Sequence, residues 1–162
     1  MLKKIFTVCL FLPLCSAAWS ATFTTNQVRI IDGDTLEVIP HNKKSERIRL
    51  LGIDAPESNQ EFGRASSAAL QKCVGTGSVK VEYRERDKYS RILGKVWANG
   101  VDCNLNQVKT GSAWHYKYFQ NQQPPADRIS YSEAEKRAKN NNLGLWANPN
   151  PINPYKYRKA NQ

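Results

Sequence analysis

The sequence predicts a mixed α+β domain, mainly β, in which five short strands close into a small barrel with three helices around it. Two observations support this prediction. Apolar and polar residues alternate in several short runs separated by glycine, asparagine and proline, which is the pattern of half-buried strands joined by tight turns. A stretch with helical periodicity stands between the third and fourth runs. Five short strands with a helix at that position are typical of a barrel of the OB type.

The first three strands are predicted at residues 28–31, 35–39 and 46–53. The first leads into Asp32-Gly33-Asp34, a tight-turn signal, and the second alternates apolar with polar side chains. In the third strand alternate residues face opposite sides, so its arginines, including Arg49, share the polar face. The acidic turn and this arginine therefore belong to neighbouring predicted strands.

A helix is predicted at residues 60–73, because Ser58-Asn59-Gln60-Glu61 has the spacing of a capping box and small residues recur every four positions. Residues 79–84 and 91–97 alternate as the fourth and fifth strands. Asn99-Gly100 then gives a strong hairpin signal, so the chain is expected to return alongside the fifth strand.

Two further helices are predicted in the carboxy-terminal half. Asn104 can cap a short helix that ends at Gly111. Residues 127–141 are amphipathic, and their predicted inward positions are Ile129, Ala134 and Ala138. The last segment, residues 147–162, contains three prolines and many basic or tyrosyl side chains, so we predict that it is extended.

The chain divides into a predicted secretory signal peptide at residues 1–20, one folded domain at 21–146 and a basic, Pro- and Tyr-rich extension at 147–162. Two lysines precede an apolar core that is too short to span a bilayer, and small residues follow it. Cys15 leaves open the alternative of a retained lipid anchor. We therefore expect an exported protein, periplasmic or secreted, without a transmembrane segment.

The chain is strongly basic, since 24 Lys and Arg against 14 Asp and Glu give a net charge of +10. Such a charge attracts polyanions and speeds their arrival, so nucleic acid is the expected partner. The alternative is that the charge aids solubility or retention at an anionic envelope. We expect a monomer with no stable protein partner.

Cys73 and Cys103 are the cysteines that remain once the predicted signal peptide is removed. An even pair in an exported chain predicts one disulfide, which closes a loop of about thirty residues. Neither cysteine has histidines nearby at metal-ligand spacing, so a thiolate zinc site is not expected.

Two short segments at the ends of predicted strands hold four of the carboxylates of this basic chain, namely Asp32, Asp34, Asp54 and Glu57. Acids at the ends of strands need a reason to converge, and a hard cation bound through oxygen is the usual one. A cation beside Arg49, on a protein that attracts polyanions, indicates phosphate chemistry. The plain alternatives are a turn shaped by the first two acids, a helix cap formed by the last two, and an ion pair of Arg49 with Asp54 that does no chemistry.

Three motifs resemble the staphylococcal nuclease family in order and spacing. They are Asp32-Gly33-Asp34-Thr35, Arg49-Leu50-Leu51-Gly52-Ile53-Asp54-Ala55-Pro56-Glu57 and Asp87-Lys88-Tyr89-Ser90-Arg91. Each is weak alone, but three in register around an arginine are specific, and the resemblance covers roughly residues 23–146. It implies an OB barrel with three helices that hydrolyses DNA and RNA with calcium and little sequence preference, leaving 3′-phosphate ends.

The resemblance also implies roles for individual residues. The calcium ligands are implied to be Asp34, Asp54 and the carbonyl of Ala55, with Asp32 acting through water. The catalytic residues are implied to be Arg49, Glu57 as candidate general base, and Arg91. Lys88, Tyr89, Tyr116 and Tyr118 are expected to contact the substrate, since aromatic rings beside cations suit single strands. Residues 114–119 align with the family's tyrosines only to within about one residue, so packing at the core and rim is the alternative role of Tyr116 and Tyr118. Ser90 stands where the family usually has glycine. The direction in which the Arg91 side chain points depends on the conformation of this turn.

Hydrolysis of a phosphodiester requires the same kinds of group. A phosphodiester carries one negative charge and attack by water adds another in the transition state, so a divalent ion and two guanidinium groups lower the barrier. Arginine suits this role because its planar fork pairs two oxygens and keeps its proton. A glutamate that is ionised near neutral pH can orient or deprotonate the attacking water.

Two other functions fit part of the pattern. A binding module would use the same barrel to hold nucleic acid or a protein without cutting, but the joint presence of the acids and both arginines argues against it. A cationic envelope-binding protein would explain the charge and the signal peptide, but it leaves the acid cluster without a role.

Overall fold

The computed structural model describes residues 21–41 and 44–161. The predicted signal peptide, residues 1–20, lies outside the described residues, so its cleavage and the export of the chain stay predictions. Among the helices of the described residues, none is long and apolar enough to cross a membrane.

Seven strands of the described chain form one sheet, and two more form a separate ladder. The strands are β1 (Ala21–Thr25), β2 (Val28–Ile30), β3 (Thr35–Val38), β4 (Glu46–Leu50), β5 (Ile53–Asp54), β6 (Val79–Arg86), β7 (Ile92–Ala98), β8 (Val101–Asp102) and β9 (Trp114–His115). The large sheet runs in the order β1-β6-β7-β4-β3-β2, with β8 paired to β7. Its β4–β7 pair is parallel. The ladder joins β5 to β9.

Helical segments pack against these strands. They are α1 (Gly63–Val74), α2 (Cys103–Lys109), α3 (Pro125–Asn140), α4 (Pro154–Ala160) and two 3₁₀ segments, Lys117–Gln122 and Gly144–Ala147. The mixed α+β class with an OB-like architecture is confirmed, although the described chain has more strands and one more α-helix than predicted. The strands that were missed as separate elements include β5 and β9, each of two residues, which are too short to show alternation.

The inward faces of the strands form one core. Its fully buried strand residues include Leu36, Val38, Ile48, Val81 and Val96. The helices complete it with Leu70, Val108 and Tyr131. Each large apolar side chain that is fully buried contributes about 1.5–3 kcal/mol. Because alternate residues of β4 point the other way, Arg49 lies on the side of the sheet away from this core.

Two predicted features are confirmed. Asn99 and Gly100 have φ angles of 51° and 77°, as a tight two-residue hairpin requires, and they join β7 to β8. Cys73 and Cys103 form a disulfide with an S–S distance of 2.09 Å, which links the end of α1 to the start of α2.

The predicted capping box at residues 58–61 is wrong. Helix α1 begins at Gly63, and its N-cap is Phe62, whose φ of 70° is left-handed. Gln60 is used differently, because its Oε1 accepts from the amide of Glu57 at 3.1 Å and its Nε2 donates to the carbonyl of Ile152 at 2.7 Å. The segment therefore folds as a turn that holds the carboxy-terminal segment instead of opening a helix.

The predicted cap at Asn104 is also wrong. Asp102 caps α2 by accepting from the amide of Leu105 at 2.9 Å. Asn104 is fully buried and bonds to the sheet instead, accepting from the amide of Val96 at 3.0 Å and donating to the carbonyl of Gly94 at 2.9 Å. A buried amide that satisfies strand backbone is a tertiary role that short-range spacing does not reveal.

The predicted inward face of α3 is correct at Ala134 and Ala138, which are 5% and 0% exposed, and wrong at Ile129, which is 62% exposed. Tyr131 and Glu135 lie inward instead. Both are polar, and each is buried because it has a partner: the Tyr131 hydroxyl donates to Asp102, and the Glu135 carboxylate accepts from the amide of His115 at 3.1 Å.

The prediction of an extended tail is wrong for its last part, which forms α4. The helix begins with Pro154 at its first position, and the side chain of Asn153 accepts from the amide of Tyr155 at 3.0 Å. Proline at this position and an asparagine cap are standard start signals, and Arg158 and Lys159 in the last turn complement the helix dipole. These local signals outweigh the high proline content of the segment.

Candidate active site

The turn Asp32-Gly33-Asp34 leads into β3 and is fixed by its own hydrogen bonds. The amide of Asp32 donates to the carbonyl of Thr35 at 3.1 Å, and the amide of Asp34 donates to the Asp32 carboxylate at 2.9 Å. A Cβ on Gly33 would lie 1.9 Å from Oγ of Ser66 in α1, so this close approach requires glycine. Asp32 thus shapes the turn, as one alternative predicted, while the Asp34 carboxylate is directed elsewhere.

Arg49 joins the two acids that were predicted as direct calcium ligands. Its Nη2 lies 3.0 Å from Oδ2 of Asp34 and 3.0 Å from Oδ1 of Asp54. Its Nη1 donates to the carbonyls of Leu50 and Ile53 at 3.1 and 2.8 Å, which fixes the plane of the guanidinium. The two carboxylates therefore converge on one nitrogen, and the Asp54 side chain is only 1% exposed.

Asp34 also binds the backbone that follows β5. The amide of Ala55 donates to its Oδ2 at 2.6 Å, and the hydroxyl of Thr35 donates to its Oδ1 at 3.1 Å. These bonds tie the start of β3 to the segment after Asp54. The relative positions of the two acids are thus set by backbone as well as by Arg49.

Arg158, from α4, completes the cluster. Its Nη1 and Nη2 each lie 3.1 Å from an oxygen of Asp54, and its Nη1 donates to Oε1 of Glu57 at 2.7 Å. No motif in the sequence marks Arg158, which is one of several basic residues in the tail. Its position depends on the fold of a segment 101 residues from Glu57, and no spacing in the sequence signals that contact.

The acids of the cluster disfavour one another's charge. Burial, followed by the neighbouring charge of Asp34, raises the pKa of Asp32 to about 6. Burial and then Asp34 also raise the pKa of Asp54, although Arg158 and Arg49 act in the opposite direction. Carboxylates held together against burial and mutual repulsion form a place where a further positive charge is stabilising.

Arg91 precedes β7 and pairs with Asp87, with 2.7 Å between its Nη2 and Oδ2 of Asp87. Among the described residues it makes no ion pair with the acids around Arg49. In the parallel pairing of β4 with β7, Arg49 stands opposite Leu93. Because Arg91 lies two residues before Leu93, both arginines are on the same face of the sheet.

The turn at residues 87–91 exposes an aromatic ring between two cations. Tyr89 is 67% exposed, Nζ of Lys88 lies 5.0 Å from its ring centroid, and Cζ of Arg91 lies 5.5 Å from it. Ser90 has a φ of 62°, the left-handed conformation for which glycine is best suited. Serine in place of glycine therefore leaves the turn in its left-handed conformation. A serine adopts this conformation at a cost in conformational free energy.

An aromatic cleft of about 480 Å³ adjoins Asp54 and contains the two predicted tyrosines. The rings of Tyr116 and Tyr118 stack with centroids 6.5 Å apart. Tyr118 is 83% exposed, while burial and then the charge of Asp54 raise the pKa of Tyr116. Tyr155 of α4 also lines this cleft. Tyr116 thus lies on the side of the cleft near the acids and Tyr118 at its exposed rim.

Similarity to known proteins identifies the family of this chain. The family described as "Staphylococcal nuclease homologue" matches residues 47–148. A protein named micrococcal nuclease from Shigella flexneri is 39% identical, over 90% of this chain and 85% of its own length. Uncharacterized endonucleases from Escherichia coli and Haemophilus influenzae are 39% and 38% identical, over 81% and 98% of this chain and 82% of each relative.

The chain belongs to the staphylococcal nuclease family. It is therefore an enzyme of the nuclease class, a phosphodiester hydrolase, and the resemblance drawn from the three motifs is confirmed. The matched region contains Arg49, Asp54, Glu57 and Arg91. Asp34 precedes that region, and Arg158 follows it.

Members of the staphylococcal nuclease family generally depend on calcium, so the acids can be tested as a calcium site. Within the described residues no group of three or more histidine, cysteine, aspartate or glutamate side chains is placed to enclose a metal. The oxygens of Asp34 and Asp54 converge, however, and the guanidinium of Arg158 already rests against Asp54 as a positive charge. Such a donor set fits a hard cation that keeps several water ligands.

The helix-cap alternative for Asp54 and Glu57 is wrong in this nuclease-family fold. Helix α1 begins at Gly63 with Phe62 as its N-cap, and both carboxylates instead contact Arg158. The expected ion pair between Arg49 and Asp54 does exist. His115 is buried against Tyr131 with 5.9 Å between ring centroids.

Proposed function

We propose that this nuclease is an exported, calcium-dependent endonuclease that hydrolyses DNA and RNA with little sequence preference and leaves 3′-phosphate ends. The observation that carries the proposal is the convergence of Asp34 and Asp54 on one nitrogen of Arg49, at 3.0 Å each. This arrangement combines oxygen ligands for a hard cation with a donor for phosphate. The names of the relatives, which include micrococcal nuclease and endonuclease, are in keeping with it.

Calcium would be held by Asp34, Asp54 and the carbonyl of Ala55, with Asp32 acting through a water molecule. When bound, the ion supplies positive charge where negative charge grows on the phosphate in the transition state. Two direct carboxylates make a loose site, with affinities in the range of roughly 10⁻⁴–10⁻³ M typical of extracellular calcium modules. Calcium should therefore support more activity than magnesium, which demands tighter octahedral geometry.

The arginines bind and orient the phosphate. Arg49 is fixed by two backbone carbonyls, so its guanidinium needs no reorganisation when charge develops on the phosphate oxygens. Arg91 lies on the same face of the sheet and is oriented by Asp87 at its Nε. Since arginine keeps its proton at working pH, both act by stabilising charge and not by donating a proton.

Glu57 orients or deprotonates the attacking water. Its side chain is 33% exposed, so water can reach it, and it lies in the same cluster as Asp54 because Arg158 contacts both. A carboxylate beside the proposed calcium ligand Asp54 can accept a proton from water as the new bond forms.

The surface beside the cluster suits a nucleic acid strand. Lys88 and Tyr89 on one side, with Tyr116 and Tyr118 on the other, offer cations and exposed rings on which bases can stack. These groups read no base edges, so affinity comes from phosphates and falls steeply with salt. Export is supported by the disulfide between Cys73 and Cys103, because such bonds persist in oxidising compartments.

The test is digestion of plasmid DNA and of RNA by the purified protein, with calcium, with magnesium or with chelator. We expect cleavage that requires calcium, and a loss of about 10²–10³ in turnover for Asp34→Ala and Arg91→Ala. Arg29→Ala is the matched control, because it removes an equal charge from an exposed pair with Glu37. Wild-type rates in both site variants would overturn the proposal. Binding of DNA without any cleavage would identify a non-catalytic binding module instead.

A further inference from the structure

The carboxy-terminal helix α4 inserts a cation into the acid cluster. We propose that Arg158 is an internal competitor of calcium: in the closed form its guanidinium binds Asp54 and Glu57, and calcium binds only when α4 moves away. This inference rests on the proposed calcium site and adds a regulatory element to it. It concerns residues 154–160, which lie outside the region matched to the family.

Arg158 binds the acids much as a metal ion would. It contacts both oxygens of Asp54, at 3.1 Å each, and one oxygen of Glu57 at 2.7 Å. The Asp54 side chain is 1% exposed and that of Arg158 is 34% exposed, so the guanidinium covers the carboxylate on the solvent side. Arg49 contacts only Oδ1 of Asp54, whereas Arg158 contacts both of its oxygens, so calcium and Arg158 compete for the same ligand atoms.

The charges of the cluster explain how calcium can displace Arg158 from the acids. Three carboxylates, of Asp34, Asp54 and Glu57, face the two guanidinium groups of Arg49 and Arg158. One negative charge is therefore left over in the closed form. A divalent ion in place of Arg158 would bring one more positive charge to these groups, to which Asp32 adds a further acid, so the closed form is favoured without calcium and the open form at high calcium.

Helix α4 is attached in a way that allows it to move. It has seven residues, and its contacts beyond Arg158 include a hydrogen bond from the Tyr157 hydroxyl to the carbonyl of Asn59 at 3.2 Å. Just before the helix, Gln60 donates to the carbonyl of Ile152 at 2.7 Å. Only Pro154 of this seven-residue helix is buried, so α4 can detach without opening the core.

Closure would also block catalysis and substrate. In the closed form Oε1 of Glu57 already accepts from Arg158, which leaves this carboxylate fewer lone-pair sites for the attacking water. Tyr155 of the same helix lines the aromatic cleft beside Asp54, so closure narrows the surface proposed for nucleic acid. Moving α4 away would release the metal ligand, the base and the cleft together.

Calcium titration by calorimetry tests the competition directly on the full chain. Arg158→Ala and Arg158→Gln should each bind calcium about 10- to 100-fold more tightly than wild type, because they no longer spend most of their time closed. Lys159→Ala is the matched control, since it removes the same charge from an exposed position one residue further along α4, and it should bind calcium as wild type does.

Hydrogen exchange provides a readout that is independent of the variants. In wild-type protein the amides of residues 155–160 should exchange at least tenfold faster with saturating calcium than with chelator. The amides of α3 should not change. In Arg158→Ala the amides of α4 should exchange fast in both conditions.

Equal or weaker calcium affinity in both Arg158 variants, or α4 amides that stay protected in saturating calcium, would overturn the competition while leaving calcium-dependent cleavage intact. If no protein bound calcium and chelator did not slow cleavage, the calcium site itself would be wrong, and the competition with it. The two failures therefore differ in whether wild type binds calcium.

Discussion

The guanidinium of Arg158 lies 2.7 Å from the carboxylate of Glu57, although 101 residues separate the two in the sequence. Glu57 follows the short strand β5, and Arg158 belongs to the last helical segment of the described chain. The contact means that the candidate active site is built from both ends of the folded chain. Only the first of these ends carries motifs that a sequence can reveal.

Replacement of Arg49 by lysine tests whether the forked guanidinium group of Arg49 is needed for cleavage. Arg49→Lys keeps the charge but cannot contact both acids and two carbonyls, so we expect turnover to fall by about 10²-fold or more. Steady-state cleavage of plasmid DNA measures this effect, and circular dichroism checks the fold. Arg47→Lys, on an exposed position of the same strand, should change the rate little. An Arg49→Lys enzyme as fast as wild type would show that the fork is dispensable.

The disulfide should account for a substantial share of the stability. Cys73 and Cys103 close a loop with a sequence separation of 30, which corresponds to about 3–4 kcal/mol in the chain-entropy account. The double variant with alanine at both positions should lose about that much free energy of unfolding in denaturant titrations. Wild type under strong reductant should behave in the same way. A loss well under 1 kcal/mol in both experiments would contradict the estimate.

Acid should destabilise the fold through His115. Burial lowers the pKa of His115 below its ordinary value of 6.5, although Gln123 and Glu135 act in the opposite direction and Lys117 lowers it further. Since the unfolded chain binds the proton more readily, this stability is fully present above pH 6.5 and is lost as the pH falls, at most by about 1.4 kcal/mol per pH unit.

The check is the free energy of unfolding at pH 7 and at pH 5.5, for wild type and for His115→Gln. Glu135 stays ionised over this range, because Lys117 and Lys139 outweigh its burial and hold its pKa below the ordinary value of 4.5. The free energy of unfolding should decrease less between pH 7 and pH 5.5 in the variant than in wild type. Equal decreases in the two proteins would mean that other groups cause the acid sensitivity.

Glycine at position 90 should stabilise the fold. Ser90 adopts a φ of 62°, where a side chain costs about 1–2 kcal/mol, while glycine costs roughly 0.5–1 kcal/mol more entropy on folding. The net expectation for Ser90→Gly is a gain of about 0.5–1 kcal/mol in unfolding free energy. Ser90→Ala should give no such gain, since it keeps the Cβ. A destabilised glycine variant would mean that the serine hydroxyl has a role of its own.

The convergence of Asp34, Arg49 and Asp54 could be predicted from the sequence because each residue stands beside a strand that can be recognised locally. Acids at a glycine turn and after a strand end, with an arginine on the neighbouring strand, come together once the strands pair in register. The disulfide and the hairpin were predicted for a similar reason, since their signals lie in residue type and short spacing.

The features that were missed depend on contacts between distant segments. Asn104 was predicted to cap a helix, but its amide bonds to the backbone near β7 because the fold buries it there. Ile129 was expected inside, but Tyr131 is buried in the core and donates a hydrogen bond to Asp102. Arg158 was one cation among several in a tail predicted to be extended, and only the three-dimensional path of that tail brings it to Asp54.

The central claim is that Asp34 and Asp54 hold a calcium ion against a phosphate bound by Arg49. The most direct measurement is single-turnover cleavage of a labelled oligonucleotide by Asp54→Asn across a calcium titration, with Glu133→Gln as a control, since the Glu133 side chain is 60% exposed on α3. We predict that Asp54→Asn cleaves at least 10³-fold more slowly than wild type at every calcium concentration, while Glu133→Gln cleaves normally. Cleavage by Asp54→Asn at the wild-type rate, with an unchanged calcium midpoint, would contradict the account.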